Sequence, residues 1–436
     1  MQCENCDEGG FLMEKRKVIQ VNEKVPIGQL IPLSLQHMFA MFGASVLVPI
    51  LFGINPAAVL LMNGLGTLFF IFCTKGKAPA YLGSSFAFLG PALYIIANFG
   101  GGMEGFAYAQ GGFVVVGLGG CILAGIIYKF GSDWIKVVLP PAAMGPVVSL
   151  IGLTLAGTAA EMAGLKGGED FVIEPVNLII FVVTLGVAAF GSILFKKFLA
   201  VIPILIAVVA GYVTAGVMGV LDFTAVEQAK WFSFPQFQIA KFDITAILIM
   251  LPVLLVIVTE HIGHQVVASK VVGADLVKDP GLHRSLFADN FSTAVSGFVG
   301  AVPTTTYSEN LGVMAVTKVY SVYVIAGAAI LSIAFSFIGK VSALIMTMPG
   351  PVIGGISFLL YGMIGANGIR VIVDAKVDYS KSRNLVLTSV IFVTGLSGVK
   401  ISLGNVELEG MVLAAMVGMI LSICFAILDK LKLTND

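Results

Sequence analysis

The sequence predicts an all-α polytopic membrane protein built from fourteen transmembrane segments in two inverted repeats of seven. Three observations carry that reading: the composition, the distribution of basic residues and an internal repeat. Hydrophobic residues make up 58% of the 436 residues and charged residues 11%, with a mean hydropathy of +0.99. A soluble domain carries about 25% charged residues, so the chain lacks the polar surface that water demands. Lysine plus arginine and aspartate plus glutamate each number 25, and this zero balance gives no basis for binding nucleic acid.

A spanning helix needs about 20 mostly apolar residues. On that measure the segments fall near 28–52, 55–73, 87–98, 107–128, 138–157, 172–194, 198–220, 244–268, 284–300, 309–317, 320–338, 341–365, 384–399 and 408–428. The third and tenth are too short to cross as helices alone. Cytoplasmic loops collect Lys and Arg. With the N-terminus inside and strict alternation, 20 basic residues lie inside and 5 outside (Lys166, Lys230, Lys241, Lys340 and Lys400). Both termini are therefore expected on the cytoplasmic side, with tails at 1–27 and 429–436 and no signal peptide, since Glu4, Asp7 and Glu8 precede any apolar run. Cys3 and Cys6 form a single CxxC that, without a second pair, is weak evidence for metal. Cys73, Cys121 and Cys424 lie in apolar segments, as small buried hydrophobes do.

The repeat is read from three pairs in the same order. Leu139-Pro140-Pro141 to Pro146 matches Met348-Pro349-Gly350 to Gly355, Gly83 to Phe86 matches Thr304 to Tyr307, and Gln36-His37 matches Glu260-His261. The separations are 209, 221 and 224 residues, about half the chain. Seven segments per half is an odd number, so the halves run oppositely through the bilayer, a transporter signature. In the second pair, hydroxyl and aromatic residues favour extended backbone ahead of an apolar stretch that Gly90-Pro91 or Leu311-Gly312 is expected to interrupt. Extended backbone at bilayer depth is tolerated only where it is buried or lines a cavity. The small-residue face Gly112, Gly117, Gly120 and Ala124 reads as close helix packing.

Nearly all acids lie in loops or tails. Glu260 and Glu309 are the exceptions, with Asp289 near a segment end. A charge inside the membrane costs about 2.5 kcal/mol or more, so it has a partner or a task. Two carboxylates in equivalent arms of a repeat suit proton coupling. His264 lies four residues after Glu260 on the same helical face, so both can bind a polar heterocycle and exchange a proton. His261 points about 100° away and reads as a packing histidine. Through the repeat symmetry His37 is expected to reach the same cavity and to join Glu260 and His264 as a proton-coupling residue, and His283 gets no role. Glu260-His261-Ile262-Gly263-His264 lacks the H-E-x-x-H order and a third carboxylate ligand, so zinc is rejected and no cofactor beyond the proton is expected.

Glu309-Asn310-Leu311-Gly312 through Thr317-Lys318 resembles the signature of the nucleobase/ascorbate transporter family: acid, Gln or Pro, then Asn-x-Gly, four residues, Thr and a basic residue. Thr259 to His264 resembles the family's substrate-binding helix, Gln36-His37 its first-helix pair, and Ser84 to Phe88 its first broken segment. Within the family the likeness is to the bacterial uracil permease branch, and it covers the chain from about Met13 onward. The resemblance implies a core domain (28–130 and 244–338) and a gate domain (131–220 and 341–428). It implies short antiparallel strands in segments 3 and 10, meeting at mid-membrane beside the substrate, and a homodimer in the cytoplasmic (inner) membrane. It also implies that Glu260, His264, Glu309 and the Phe86 backbone contact the base, with Tyr307 and Tyr361 packed nearby. Glu at position 309 accompanies uracil carriers, Gln xanthine and urate carriers, and Pro ascorbate carriers. Ser308 departs from the Gly of some members and would narrow the pocket or add a hydrogen bond. The function implied is uracil:proton symport by alternating access, not enzymatic turnover. A xanthine or purine permease, or an anion transporter on the same fold, are the alternatives.

Overall fold

Asn55 and Pro56 show how sharply this chain starts and stops its helices. Gly53 ends the first helix at φ 68°, donating its N–H to Ile50 O at 3.0 Å, while the Ile54 N–H reaches Pro49 O at 2.9 Å. Only glycine takes that left-handed turn without strain. Two residues later the Asn55 side chain accepts the Ala57 N–H at 2.8 Å, and Pro56 opens the next helix with its fixed φ. A computed structural model describes residues 18–196, 199–403 and 406–434. Cys3, Cys6 and Met13 lie outside the described residues.

In chain order the helices are α1 (Ile27–Phe52), α2 (Pro56–Cys73), α3 (Leu89–Asn98), α4 (Gly102–Phe130), α5 (Asp133–Val138), α6 (Pro141–Leu153), α7 (Ala156–Met162), α8 (Pro175–Leu194), α9 (Pro203–Val217), α10 (Thr224–Gln228), α11 (Ile244–Met250), α12 (Val253–Val272), α13 (Leu282–Val299), α14 (Ser308–Thr317), α15 (Val322–Ser336), α16 (Gly339–Met346), α17 (Gly350–Asp374), α18 (Ser382–Leu396) and α19 (Gly410–Lys430). Among the described residues, eight helical stretches are long and apolar enough to cross a membrane by length and composition. Two of them join neighbouring helices across a bend, α6 with α7 and α11 with α12. Strands β1 (Leu82–Ser84) and β2 (Thr304–Thr306) pair antiparallel with Gly83 opposite Thr305, and β3 (Lys400–Leu403) pairs with β4 (Val406–Glu409) as a hairpin.

Several expectations need adjusting. The segment expected at 341–365 is instead α16 followed by α17, because Pro349 caps a new helix and Pro351 sits in its first turn. A proline there lacks only an N–H that would be unpaired anyway. For the same reason Gly90-Pro91 begins α3 rather than interrupting it. Leu311-Gly312 lies inside an unbroken α14.

The helices pack in two groups. In one, α1, α2, α4, α13 and α15 meet; in the other, α6, α8, α9, α17, α18 and α19. Glycines set the spacing in both. A Cβ on Gly117 of α4 would stand 2.6 Å from the Ala294 nitrogen of α13, and one on Gly64 of α2 would stand 2.6 Å from Ala329 O of α15. In the second group a Cβ on Gly145 of α6 would stand 2.8 Å from Gly368 O of α17. These approaches put backbones in contact, the packing mode membrane helices use in place of hydrophobic exclusion.

Loop contacts sort onto two faces. On one, the Ile19 N–H donates to Lys318 O at 3.0 Å, Ser321 donates to Glu23 O at 2.7 Å, and Lys77 pairs with Asp279 at 2.6 Å. On the other, Lys241 pairs with Glu104 at 2.9 Å and Lys340 donates to Val226 O at 2.8 Å. The first face carries the loops rich in Lys and Arg, and is called the basic face below.

The two short strands are held by a matched device. The Thr67 hydroxyl of α2 accepts the Leu82 N–H at 2.9 Å and donates to Asn63 O at 2.7 Å. The Thr293 hydroxyl of α13 accepts the Thr304 N–H at 3.2 Å and donates to Thr304 O at 2.7 Å. Each threonine serves the first residue of one strand. Buried strand edges have no water to bond, and these hydroxyls supply the missing partners.

Candidate functional site

The crossing of β1 and β2 places the ends of both strands against α12. Ser85 extends the ladder by donating its N–H to Pro303 O at 2.8 Å. Phe86 and Tyr307, the residues just past each crossing, then turn into a small cavity. Its walls are Phe86, Thr305, Thr306 and Tyr307 from the strand regions, Glu260 and His264 from α12, Glu309 from α14, and Val148, Ile364 and Asn367 from α6 and α17. Its volume is about 20 Å³, room for roughly one water. Any ligand larger than a water would need these walls to separate.

Glu260 and His264 share one face of α12, as their spacing of four requires, and both reach the cavity. His264 Nδ1 lies 3.1 Å from the Thr306 hydroxyl, which fixes the imidazole against β2. Glu309 stands in the first turn of α14, where the helix dipole favours a negative group. Tyr307 donates its hydroxyl to Ser84 O at 2.9 Å, tying one strand end to the other. Gly83 makes this possible, because a Cβ there would stand 2.7 Å from the Tyr307 hydroxyl and nearer still to its ring. Tyr361 stands behind the wall, edge-on to Phe86 with ring centroids 5.8 Å apart. Ser308 opens α14; its side chain is outside what is described.

Two buried polar atoms in these walls, Glu260 Oε2 and Thr305 Oγ1, have no partner among the described residues. Leaving such groups unpaired costs about 1–3 kcal/mol each. A polar ligand in the cavity is the natural way to meet that cost.

The structure separates the other histidines from this cavity. His261 faces α13, with Nε2 3.0 Å from the Ser285 hydroxyl and Nδ1 3.2 Å from Asp289 Oδ2. Asp289, flagged in the sequence without a partner, is thus the companion of a packing histidine. His37 does not line the cavity; its Nδ1 lies 3.2 Å from Asn310 Oδ1, and Asn310 donates onward to Pro79 O at 3.4 Å. The signature residues divide similarly. Asn310 braces α1 against α14. Thr317 donates to Val313 O at 2.8 Å and Lys318 ends the helix in a left-handed turn at φ 61°. Among the described residues nothing lies within 4 Å of where a Gly312 Cβ would be, so their packing does not explain that glycine. His283 rests on the Tyr128 ring at 5.0 Å.

Sequence reasoning missed Asn367, Val148 and Ile364. Asn367 is an amide amid apolar residues of α17, and it fell past the expected segment end at 365. A second cavity of about 30 Å³ shares Val148, Glu260, His264 and Asn367 with the first. It shares Gly263, Val267 and Val371 with a third, of about 400 Å³, which opens beside Lys136 and Lys270 on the basic face. A cavity of about 440 Å³ toward the opposite face, lined by Tyr94, Thr158 and Glu409 among others, shares no wall residue with the site.

The profile described as the permease family matches residues 28–404. This chain belongs to that family, the nucleobase/ascorbate transporters. The permease is 52% identical to the uracil permease of Escherichia coli strain K12 over 96% of each chain. It is 50% identical to the uracil permease of Paenibacillus larvae, over 97% of this chain and all of that one. The uracil permease of Bacillus subtilis strain 168 is 44% identical over 94% of this chain and 96% of its own. The transmembrane domain of the cyanobacterial bicarbonate transporter BicA superposes with a TM-score of 0.63 at 15% identity, covering 93% of this chain and 100% of that one. The murine anion transporter Slc26a9 does so with a TM-score of 0.68 at 11% identity, covering 98% and 74%. At such identities these structures share the fold alone. The permease is an integral membrane protein, and its family is one of transporters rather than enzymes.

Proposed function

We propose that this permease imports uracil with a proton across the cytoplasmic membrane by alternating access. The observation that carries the reading is the cavity at the strand crossing. Two carboxylates, an imidazole and threonine hydroxyls line it in a chain about half identical to uracil permeases over nearly its whole length. Uracil offers ring N–H donors and carbonyl acceptors. Glu309 would accept from the ring N–H groups, and the backbone at Phe86 would meet a carbonyl. Tyr307 completes that wall, with Tyr361 behind it. A carboxylate at the first turn of α14 occupies the end of the helix that would otherwise attract an anion, which argues against an anion substrate on this fold.

Glu260 and His264 would carry the coupling proton. Protonated Glu260 is neutral and tolerable in the membrane, whereas the ionised form needs a partner. Binding of proton and base together would let the loaded site move. His37, bonded to Asn310 away from the cavity, supports α14 rather than relaying the proton.

The architecture we read has fourteen crossings, with the basic face and both termini in the cytoplasm. The group of α1, α2, α4, α13 and α15, with α3, α12 and α14, forms the core domain; the group around α6, α8, α9 and α17–α19 forms the gate. Thr67 and Thr293 stand 226 residues apart by number and serve equivalent strand ends, which supports the inverted repeat. A homodimer is the assembly expected. The test is uptake into proteoliposomes. Uracil should accumulate when the outside is more acidic, with thymine, xanthine and ascorbate competing weakly. Absence of uptake, or accumulation indifferent to the proton gradient, would overturn the proposal.

A further inference from the structure

The chain between α10 and α11 has no part in the symport reading. Residues 230–243 run without helix across the face opposite the basic one, as a strap over the ends of α4, α13 and α15. The inner side of the strap is built into that bundle. Trp231 O accepts the Gly339 N–H at 3.1 Å, and Ser233 donates its N–H to Phe337 O at 2.9 Å. Further along, Gln238, Ala240 and Lys241 donate theirs to Val299 O at 3.1 Å, Phe298 O at 3.3 Å and Ala107 O at 2.9 Å. The Gln110 amide of α4 donates to Gln238 O at 3.0 Å and Gly297 O at 2.7 Å. Glycines clear the track. A Cβ on Gly300 would stand 2.5 Å from the Gln238 nitrogen, and Cβ atoms on Gly339 and Gly111 would run into Lys230 O and Lys241 O.

The outer side is apolar and open. Trp231, Phe234 and Ile239 are 74%, 72% and 71% exposed, and Phe232, Phe237 and Phe242 are each more than half exposed. Phe232 stacks on Phe337 with ring centroids 5.9 Å apart, so this end of the patch is a fixed platform. Scattered apolar side chains on a surface need no explanation, but a run of them along one segment marks an interaction surface. The strap lies where α13 and α15 end and where the stretch Ile244–Val272 begins to cross the membrane. Two requirements meet at that level. Bulk water would leave the aromatic side uncovered, whereas an extended backbone presents outward N–H and C=O groups that hydrocarbon cannot satisfy. The boundary between headgroups and acyl chains serves both, and tryptophan is enriched there because its ring is apolar and its N–H is a donor. Lys340, beside the strap, stands over the Trp231 ring at 5.6 Å, a cation at the level of lipid phosphates.

We propose that residues 230–243 form an interfacial strap that docks on the headgroup–acyl boundary of the bilayer, with Trp231, Phe234 and Ile239 as its anchors. Hydrogen bonds to α4 and α13 and to the chain that follows α15 tie these helices to the strap, so the strap sets their depth in the membrane. The inference rests on the protein being integral to the membrane and is independent of what it carries.

The experiment uses tryptophan fluorescence. The chain has two tryptophans, and the other, Trp134, lies beyond α4 with its indole N–H on Gly131 O at 2.9 Å. Trp134→Phe therefore leaves Trp231 as the single reporter. The full-length variant, monodisperse after purification, is reconstituted into phosphatidylcholine vesicles whose acyl chains are unbrominated, brominated near the headgroup or brominated near the chain end. Iodide serves as the aqueous quencher. Bromine near the headgroup should remove at least half of the Trp231 emission, at least twofold more than bromine near the chain end or iodide removes. Strongest quenching by iodide places the strap in water and overturns the proposal. Strongest quenching from the chain end makes it part of a lipid-facing span and overturns it too. Shielding from all three quenchers means that a second copy of the chain covers the patch, and again overturns it. Phe234→Trp, in a chain carrying Trp134→Phe and Trp231→Phe, supplies a second reporter and should give the same order of quenching. A different order there would make Trp231 an isolated contact and overturn the strap. No readout uses uracil, so failure of the transport reading and failure of this one are distinguishable.

Discussion

Replacing Gly83 with alanine puts a methyl group where the Tyr307 phenol stands. The new Cβ would lie 2.7 Å from the hydroxyl and closer to the ring. The strand cannot recoil, because its ladder to β2 and the Thr67 hydroxyl hold the Leu82 and Ser84 backbone on either side. The ring must move instead. That breaks its hydrogen bond to Ser84 O, worth about 0.5–1.5 kcal/mol, and forces repacking at about 1–3 kcal/mol. Gly83→Ala should therefore cost about 2–4 kcal/mol of stability and weaken substrate binding, since Tyr307 is a wall of the site. The assay is a double-mutant cycle in detergent, with denaturation of wild type, Gly83→Ala, Tyr307→Ala and the double variant. Removing the ring gives the methyl room, so Gly83→Ala should cost less than about 1 kcal/mol in the Tyr307→Ala background. An equal cost in both backgrounds would refute the reasoning and locate the damage in the strand itself.

Three further outcomes are expected. Glu260→Gln, a permanent imitation of the protonated acid, should still exchange uracil by counterflow but fail to accumulate it when only a proton gradient is supplied; full accumulation would move the coupling site elsewhere. Single cysteines at Ser380 and Gly168, both exposed on opposite faces, should label from outside intact cells at Gly168 alone if the basic face is cytoplasmic. Thr67→Val and Thr293→Val each strip one strand end of its hydroxyl partner, and each should cost about 1–3 kcal/mol in a denaturation assay, by similar amounts if the two arms are equivalent.

The long spans were legible because hydrophobic length is a strong and local signal: α1, α2, α8 and α19 fall within a few residues of their expected ends. The same signal misled at 341–365, where hydropathy runs continuously through two helices and only Pro349-Gly350-Pro351 marks the break. That shift hid Asn367. Glu260, His264, Glu309 and Phe86, which line the cavity, stood out in the sequence because acids and imidazoles in apolar segments are rare and because a signature marked their neighbourhood. Val148 and Ile364 carry no such mark; an aliphatic residue facing a cavity has the same sequence pattern as one facing lipid. The pairing of His261 with Asp289 and of Thr67 with Leu82 depends on which elements meet, information that lies in tertiary packing rather than in any local pattern.

The central claim is that the cavity at the strand crossing reads a nucleobase through Glu309. Equilibrium uracil binding to the purified permease and to its Glu309→Gln variant tests it most directly. The substitution preserves size but exchanges an acceptor for a donor, removing charge-assisted bonds worth about 1.5–3 kcal/mol. The variant should bind uracil about 10–150-fold more weakly than wild type, whatever its transport rate. Equal affinity in the two proteins would contradict the account and leave the base to be read somewhere other than this cavity.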